Sequence, residues 1–145
     1  MKKLFILLIF GLLSGIAYSP QYKYLYLARA EKIKPYEKTW KAICLVESSN
    51  NPRAYNKKEN AVGIVQVREI RLDDYNKQTG QRYKLTDMYD PVLAKSIFVY
   101  YAKQYDYKDI ERIARCWNAG QNGMRIKASQ SYYKKVLRAL KSISK

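Results

Sequence analysis

Helix start and stop signals recur at short intervals along this chain and leave room only for short helices between them. Pro35 suits the first position of a helix, and Pro52 ends that helix because proline disfavours helical backbone at the residue before it. Inside it, Trp40, Ile43 and Val46 or Glu47 recur at helical spacing, whereas strand-like alternation is nearly absent from the chain. Later boundaries are glycines at helix ends and aspartates or serines at helix starts (Gly80, Asp90, Asp109, Gly120, and Ser129 or Ser131). The pattern predicts an all-α domain of five or six short helices.

The N-terminal segment has the layout of a secretory signal peptide. Two lysines precede an apolar run from Leu4 to Ala17, where small residues suit cleavage. The run is shorter than the ~20 apolar residues that span a bilayer as a helix, although a short uncleaved anchor is the alternative. We predict a signal peptide at 1–17, an irregular lead-in at 18–34 and one domain at 35–145. We therefore expect export to the periplasm, the cell envelope or the extracellular medium.

Basic residues greatly outnumber acidic ones. The chain has 28 Lys and Arg against 12 Asp and Glu, a formal net charge of +16. Such a charge favours polyanionic surroundings, and an exported chain first meets anionic envelope polymers and lipid headgroups. Nucleic acid is a weaker candidate partner, and a role in solubility alone is the alternative.

The sequence contains no histidine. The commonest general base, the commonest zinc ligand and every Ser-His or Cys-His pair are therefore excluded. Zinc amidases and papain-like peptidases cannot be built from such a chain. Carboxylate chemistry remains, and glycosidic bonds are the substrates that carboxylates alone can break.

Two cysteines, Cys44 and Cys116, lie in apolar helical stretches. An exported chain could hold them as a disulfide, since oxidising compartments preserve such bonds. Each could also be a reduced, buried side chain that behaves as a small apolar group. Sequence alone leaves both states open, because bridging depends on the distance between the two Cα atoms.

Glu47 lies at the C-terminal end of an apolar helix, where the helix dipole favours a cation over an anion. Apolar surroundings and an unfavourable dipole both favour the protonated carboxyl, which is the form that a glycosidase acid needs. The alternative is an ordinary solvated glutamate at a helix end. Position alone thus makes Glu47 a candidate general acid.

Several short motifs place Glu47 in a wider pattern. In chain order they are E-S-x-x-x-P-x-A from Glu47 to Ala54, A-x-G-x-x-Q from Ala61 to Gln66, MYDPVLAKSIFVYYAKQY, N-A-G at 118–120, and YYKKVL with Tyr133 and Val136. This ordered set resembles the soluble lytic transglycosylase family, whose catalytic domain has a fold like that of goose-type lysozyme. The resemblance extends from Trp40 to Leu140.

The resemblance implies a role for each matching residue. Glu47 would be the catalytic acid and base, and Ser48 would help to orient it from the helix end. Gly63 would let the backbone approach the glycan closely, and Gln66 would hydrogen-bond a sugar substituent. Gly63 could instead serve only a turn.

Further along the chain, the resemblance implies that Asn118 helps to shape the cleft and that Tyr133 packs or bonds beside Glu47. Trp117 would join the substrate-binding residues at a position where the family usually has tyrosine. An indole N–H donates but cannot accept a hydrogen bond, so a proton relay through that tyrosine hydroxyl is not available here. Asn118 could also be only a helix cap and Tyr133 only a core residue.

Other departures affect the same region. The family usually has an aromatic residue where this chain has Asn50, and methionine where it has Val65. The Pro-x-Thr that often follows the family glutamine is missing. These changes bear on substrate detail more than on reaction class.

The resemblance implies cleavage between N-acetylmuramic acid and N-acetylglucosamine with a 1,6-anhydro product, and it requires no metal or other cofactor. The expected partner is the glycan strand of peptidoglycan, in wall turnover or within a secretion, conjugation or phage machine. One alternative is a muramidase of the same fold that uses water and a second carboxylate. Another is a non-catalytic wall-binding assembly protein. The candidates for the second carboxylate are Asp73, Asp74, Asp87 and Asp90.

Overall fold

The computed structural model describes residues 35–144, so the predicted signal peptide and lead-in lie outside the described residues. Within 35–144 the chain forms five α-helices and a small antiparallel sheet, and none of these helices is long and apolar enough to cross a membrane. The helices are α1 (Pro35–Ser48), α2 (Glu69–Thr79), α3 (Pro91–Gln104), α4 (Ile110–Ala119) and α5 (Lys127–Ile143). The prediction of an all-α domain with five or six short helices is confirmed, because the structure is mostly helical and has five α-helices.

Several predicted helix boundaries are found as expected. Gly80 follows α2 in the left-handed conformation with φ of 70°, which glycine adopts without steric cost. The Asp90 carboxylate accepts from the backbone N–H of Val92 at 2.8 Å. The Asp109 carboxylate accepts from the backbone N–H of Arg112 at 2.9 Å. These contacts satisfy amide donors that the first turns of α3 and α4 leave unpaired.

The predicted start of the last helix is wrong by about half a turn to one turn. Helix α5 begins at Lys127 instead of Ser129 or Ser131, after a 3₁₀-helix at Gly123–Arg125. Ser129 is buried inside the helix, with its hydroxyl 2.6 Å from the carbonyl oxygen of Gly123. The same hydroxyl accepts from Arg115 Nε at 3.0 Å. Ser129 therefore joins α5 to α4 and does not cap a terminus.

The small sheet was not predicted. Strands β1 (Tyr55–Asn56), β2 (Ala61–Val62) and β3 (Val67–Arg68) pair antiparallel in the order β1-β2-β3. Each strand has two residues, too few to give a repeating alternation in the sequence. The sheet nevertheless places the turn that follows Gly63 beside the end of α1.

The core lies between α1, α3, α4 and α5. The ring of Phe98 on α3 lies 5.3 Å from the rings of both Trp40 and Trp117, measured between centroids. Ile43 on α1 and Val136 on α5 are fully buried. Burying a large apolar side chain contributes about 1.5–3 kcal/mol, so these side chains hold α1 in one core with α3, α4 and α5.

Gly63 marks a close approach between two backbones. It has φ of 81°, and a side chain there would overlap the carbonyl oxygen of Met88 in the 3₁₀-helix Leu85–Tyr89. The family resemblance suggested that Gly63 lets the glycan approach. In the structure the group that approaches Gly63 is the Met88 backbone, so the need for glycine is structural.

We expect Gly63→Ala to lower the free energy of unfolding by about 2–4 kcal/mol, since it adds both left-handed strain and a backbone clash. Gly80→Ala is the matched control, because Gly80 has a similar φ of 70° but nothing within 4 Å of the added carbon. It should cost only about 1 kcal/mol. Urea denaturation of both variants measures the difference, and equal losses would contradict the clash with Met88.

Candidate active site around Glu47

Glu47 lies in the last turn of α1 and is half-buried. The chain reverses direction directly after it, through Ser49 and Asn50, which have φ of 54° and 65°. The N–H of Asn50 donates to the carbonyl of Cys44 at 3.2 Å. Left-handed backbone at residues other than glycine carries a conformational cost and is held by its surroundings. The reversal fixes the end of α1 and thereby the backbone position from which the Glu47 side chain extends.

The hydrogen-bond partner of Glu47 comes from α5, the last helix of the domain. The hydroxyl of Tyr132 on α5 donates to Glu47 Oε1 at 2.7 Å, and Tyr132 is buried. Burial raises the pKa of Glu47, and the Tyr132 hydrogen bond opposes that rise without cancelling it. Burial and the adjacent carboxyl hold the Tyr132 pKa well above its usual range. Tyr132 is therefore a donor to Glu47 and retains its own proton.

Tyr133, which the sequence suggested for this position, points elsewhere. It is half-buried, and the acids that raise its pKa after burial are Glu111 and Asp109, not Glu47. One residue along an α-helix rotates the side chain by about 100°, so only one of two adjacent tyrosines can meet Glu47. The prediction had the right helix and the wrong member of the pair.

Ser48 connects the end of α1 to the loop between β2 and β3. Its hydroxyl lies 2.8 Å from the carbonyl oxygen of Ile64 and 3.3 Å from that of Cys44. Both acceptors are backbone groups and neither belongs to Glu47. Ser48 thus positions Glu47 indirectly, by holding the β2–β3 loop against the helix end.

Gln66 stabilises that loop from within. Its backbone is left-handed with φ of 52°, and its side-chain Nε2 donates to the carbonyl of Gly63 at 2.9 Å. A second carbonyl, that of Ala54, lies 3.4 Å from Nε2. The amide nitrogen is committed to the loop, whereas Oε1 accepts no hydrogen bond from residues 35–144. A contact between Gln66 and a sugar, through that oxygen, stays a prediction.

Two arginines at the β3–α2 junction hold the C-terminal end of α4. Arg68 Nη2 donates to the carbonyl of Asn118 at 2.9 Å, and Arg71 Nη2 donates to that of Trp117 at 2.7 Å. The carbonyl of Cys116 lies 3.3 Å from the same Arg71 nitrogen. The last carbonyls of a helix have no partner inside it and carry negative partial charge. The two arginines satisfy these carbonyls. They also fix the N-A-G turn at residues 118–120 against the β3–α2 junction.

Trp117 occupies the core and not an exposed cleft wall. It is 4% exposed, and its indole N–H donates to the carbonyl of Val65 at 3.2 Å. The guanidinium of Arg71 lies 4.3 Å from its ring centroid and 4.7 Å from that of Tyr101. With its ring buried and its donor in use, Trp117 supports the β2–β3 loop and Arg71. Its assignment to the substrate-binding set is corrected accordingly.

Asn118 lies at the end of α4 and is half-buried. Its backbone carbonyl is the group that contacts Arg68. Its side chain makes no hydrogen bond with any other residue in the described part of the chain. A role for that side chain in shaping the cleft stays a prediction.

Cys44 and Cys116 are both free thiols and both buried. Burial raises the pKa of Cys44 to about 12, which keeps it protonated and unreactive. Of the two states that the sequence left open, the structure has the unpaired one, with two small buried side chains. Between residues 35 and 144, no three acidic or cysteine side chains cluster in a way that could hold a metal ion.

The acid whose charge reaches Glu47 is Glu59, in the β1–β2 turn. Its carboxylate raises the pKa of Glu47, and it forms an ion pair with Arg68 at 3.4 Å. No sequence motif pointed to Glu59, because the β1–β2 turn matches none of the family motifs.

Three of the four aspartates that were proposed instead have other partners. Asp74 accepts from the Tyr101 hydroxyl at 2.6 Å, Asp87 from the backbone N–H of Lys84 at 2.8 Å, and Asp90 caps α3. Asp73 is exposed on α2. Glu59, and not any of these four, is the acid among the main influences on the pKa of Glu47.

We expect Tyr132→Phe to raise the pKa of Glu47 further, because it removes a hydrogen bond that favours the carboxylate. Tyr133→Phe is the matched control and should leave that pKa unchanged. The measurement is a carboxyl-carbon NMR titration with ¹³C-labelled glutamate, assigned with a Glu47→Gln variant. A shift in the control and none in Tyr132→Phe would reverse the assignment of the two tyrosines.

Comparison with known protein families identifies the domain that contains Glu47. The family description "Transglycosylase SLT domain" matches residues 25–138, which include Glu47, the sheet and all of α1 to α4. The match begins before α1 and ends within α5. No individual curated protein matches the chain significantly. The predicted resemblance and lysozyme-like helical fold are thereby confirmed, and the chain belongs to the SLT transglycosylase domain family, whose members act on the glycan of peptidoglycan in the cell envelope.

Proposed function

We propose that this chain is a lytic transglycosylase that cleaves the β-1,4 bond between N-acetylmuramic acid and N-acetylglucosamine, with Glu47 as the catalytic acid and base. The observation that carries the proposal is the half-buried Glu47 carboxyl bonded by the buried Tyr132 hydroxyl, 2.7 Å away. Burial keeps the carboxyl protonated to higher pH than an exposed glutamate. A proton donor of raised pKa is what glycosidic cleavage requires near neutral pH.

In the proposed reaction, neutral Glu47 gives its proton to the glycosidic oxygen as the bond to the anomeric carbon breaks. The acetamido carbonyl of the substrate stabilises the developing cation, in the place of a second carboxylate. Glu47, now ionised, accepts the proton of the 6-hydroxyl as that oxygen bonds to the anomeric carbon. The proton balance closes on Glu47, and the product carries a 1,6-anhydro ring.

The charges around Glu47 favour the second step of the proposed reaction, in which Glu47 is ionised. Arg68 and Arg71 both lower the pKa of Glu47, and the Tyr132 hydroxyl donates to its oxygen. These groups stabilise the carboxylate that forms once the proton has left. The arginines are held by backbone carbonyls of α4, so they need no rearrangement as the charge develops.

A second candidate function is hydrolysis by the same fold, and one observation favours it. Glu59 is an acid whose charge reaches Glu47, and a hydrolase needs a second carboxylate near the bond to activate water or to form a covalent intermediate. The ion pair between Glu59 and Arg68 weakens this candidate, because that carboxylate is already engaged with a cation.

The family acts on peptidoglycan, so we propose that the protein works outside the cytoplasm, in the periplasm or cell envelope, after export by its N-terminal segment. Its high net charge of +16 supports an anionic envelope surface as a further partner. A machine that must open the wall, such as a secretion or conjugation apparatus or a phage, is a suitable setting.

We expect Glu47→Gln to lower glycan cleavage by about 10²–10⁴-fold, since the amide keeps the shape and loses the transferable proton. The fold should become more stable at neutral pH. A raised carboxyl pKa gives stability that is complete below the unfolded pKa and lost as pH rises through the folded pKa, and glutamine does not titrate. Muropeptide release and thermal midpoints from pH 4 to 8 measure both effects. Near wild-type cleavage by a folded variant would exclude Glu47 as the acid.

We expect Glu59→Gln to leave 1,6-anhydro ends as the main product and to move the basic limb of the pH–rate profile to lower pH. The charge of Glu59 raises the pKa of Glu47, so its removal lowers that pKa. Asp73→Asn, which also removes an exposed carboxylate, is the control and should change neither quantity. Mass spectrometry distinguishes anhydro from reducing ends. Mainly reducing ends in the wild type, with their loss in Glu59→Gln, would support the hydrolase instead.

A further inference from the structure

The outer face of α5 carries several basic residues and no acidic one. No aspartate or glutamate follows Glu111 anywhere in the sequence. Four basic residues of α5 fall at helical spacing along one line and are exposed (Lys127, Lys134, Arg138 and Lys141). Their intervals of seven, four and three residues place them on a single helix face. We call this row the α5 stripe.

The α5 stripe is not neutralised within the domain. None of its four cations forms an ion pair with residues 35–144, whereas Lys41, Arg68, Arg112 and Arg115 each pair with an acid. At 1.5 Å per residue the row is about 21 Å long. Four like charges in one line repel each other, so the face is suited to an external anion and adds nothing to the stability of the helix.

Apolar side chains border the same face. Leu137 lies three residues after Lys134 and four before Lys141, which places it next to the stripe. It is 37% exposed, and Ile126, just before the helix, is 39% exposed. A soluble polyanion offers nothing to these side chains. A bilayer surface offers both phosphate headgroups and an apolar boundary.

The opposite side of α5 faces Glu47. Tyr132 and Val136 are buried, and Tyr132 bonds Glu47 from that side. A surface bound to the α5 stripe would therefore lie across the helix from Glu47 and would not cover it.

We propose that the α5 stripe is a docking surface for the anionic phospholipid face of a membrane, which holds the domain with Glu47 turned away from the lipid. Each Lys or Arg near an anionic bilayer contributes about 1 kcal/mol, and the attraction falls off within a Debye length. The stripe supplies four such residues, with Leu137 at the headgroup boundary.

The test is vesicle co-sedimentation of the full chain, with vesicles of phosphatidylcholine alone or with 30% phosphatidylglycerol. The stripe variant is Lys127→Gln, Lys134→Gln, Arg138→Gln and Lys141→Gln. Its matched control neutralises three exposed lysines and one exposed arginine elsewhere (Lys38→Gln, Lys77→Gln, Arg82→Gln and Lys84→Gln). All the proteins carry the same N-terminal segment, so a difference between variants reports on the stripe.

We expect the stripe variant to lose about a hundred- to a thousandfold in partitioning to anionic vesicles, and the control to stay within about threefold of wild type. Wild-type binding should fall with added salt and be much weaker to phosphatidylcholine alone. Lys134→Gln by itself should lose about fivefold, which keeps the test decisive if the fourfold variant folds poorly. Leu137→Ser should lose binding to vesicles severalfold but not binding to inorganic polyphosphate.

Equal losses in the stripe and control variants would overturn the proposal, because binding would then follow net charge and not the α5 face. So would a stripe variant that keeps vesicle binding and loses polyphosphate binding, which would identify a soluble polyanion as the ligand. Neither readout involves glycan cleavage. A failure here is therefore distinguishable from a failure of the proposed transglycosylase reaction.

Discussion

The hydrogen bond between Tyr132 and Glu47 joins the last helix of the domain to the first, and the site depends on it. A carboxyl group in the last turn of α1 meets the unfavourable end of the helix dipole and has lost much of its water. The Tyr132 hydroxyl, 2.7 Å away, is what replaces that water. Because Tyr132 is itself buried, its position is fixed by the packing of α5 on α1. The position of the Glu47 carboxyl and the packing of the core are thus set by the same contact.

A second set of contacts joins three places where this chain departs from the family pattern. Trp117 donates to the carbonyl of Val65, and the Arg71 guanidinium lies over the Trp117 ring. Val65 stands where the family has methionine, Trp117 where it has tyrosine, and Arg71 falls in the segment that lacks Pro-x-Thr. These departures touch one another, so they form one packing unit. In this unit an arginine and an indole hold the β2–β3 loop and the N-A-G turn.

The sequence predicted the parts of this structure that depend on local signals. Asp90 and Asp109 cap α3 and α4 because a short carboxylate before a helix reaches its free amides. The choice of Glu47 and the family resemblance could also be predicted from the sequence, since they rest on residue type and order. Long-range contacts could not be predicted in this way. The choice of Tyr132 over Tyr133, and the approach of Gly63 to Met88, depend on how α5 and the 3₁₀-helix pack, which no local pattern records.

The balance of influences on Glu47 explains why one carboxyl could serve both halves of the proposed reaction. Burial is the largest influence on its pKa and favours the neutral acid, which is the form that the first half of the proposed reaction uses. The Tyr132 hydrogen bond and the two arginines act in the opposite direction and favour the anion. If burial alone acted, the carboxylate formed after proton transfer would be too costly. If the cations dominated, no proton would be present at the start. A site that must do both needs the opposing influences together, which is why the arginines are fixed to α4 and their charges reach Glu47 without pairing with it.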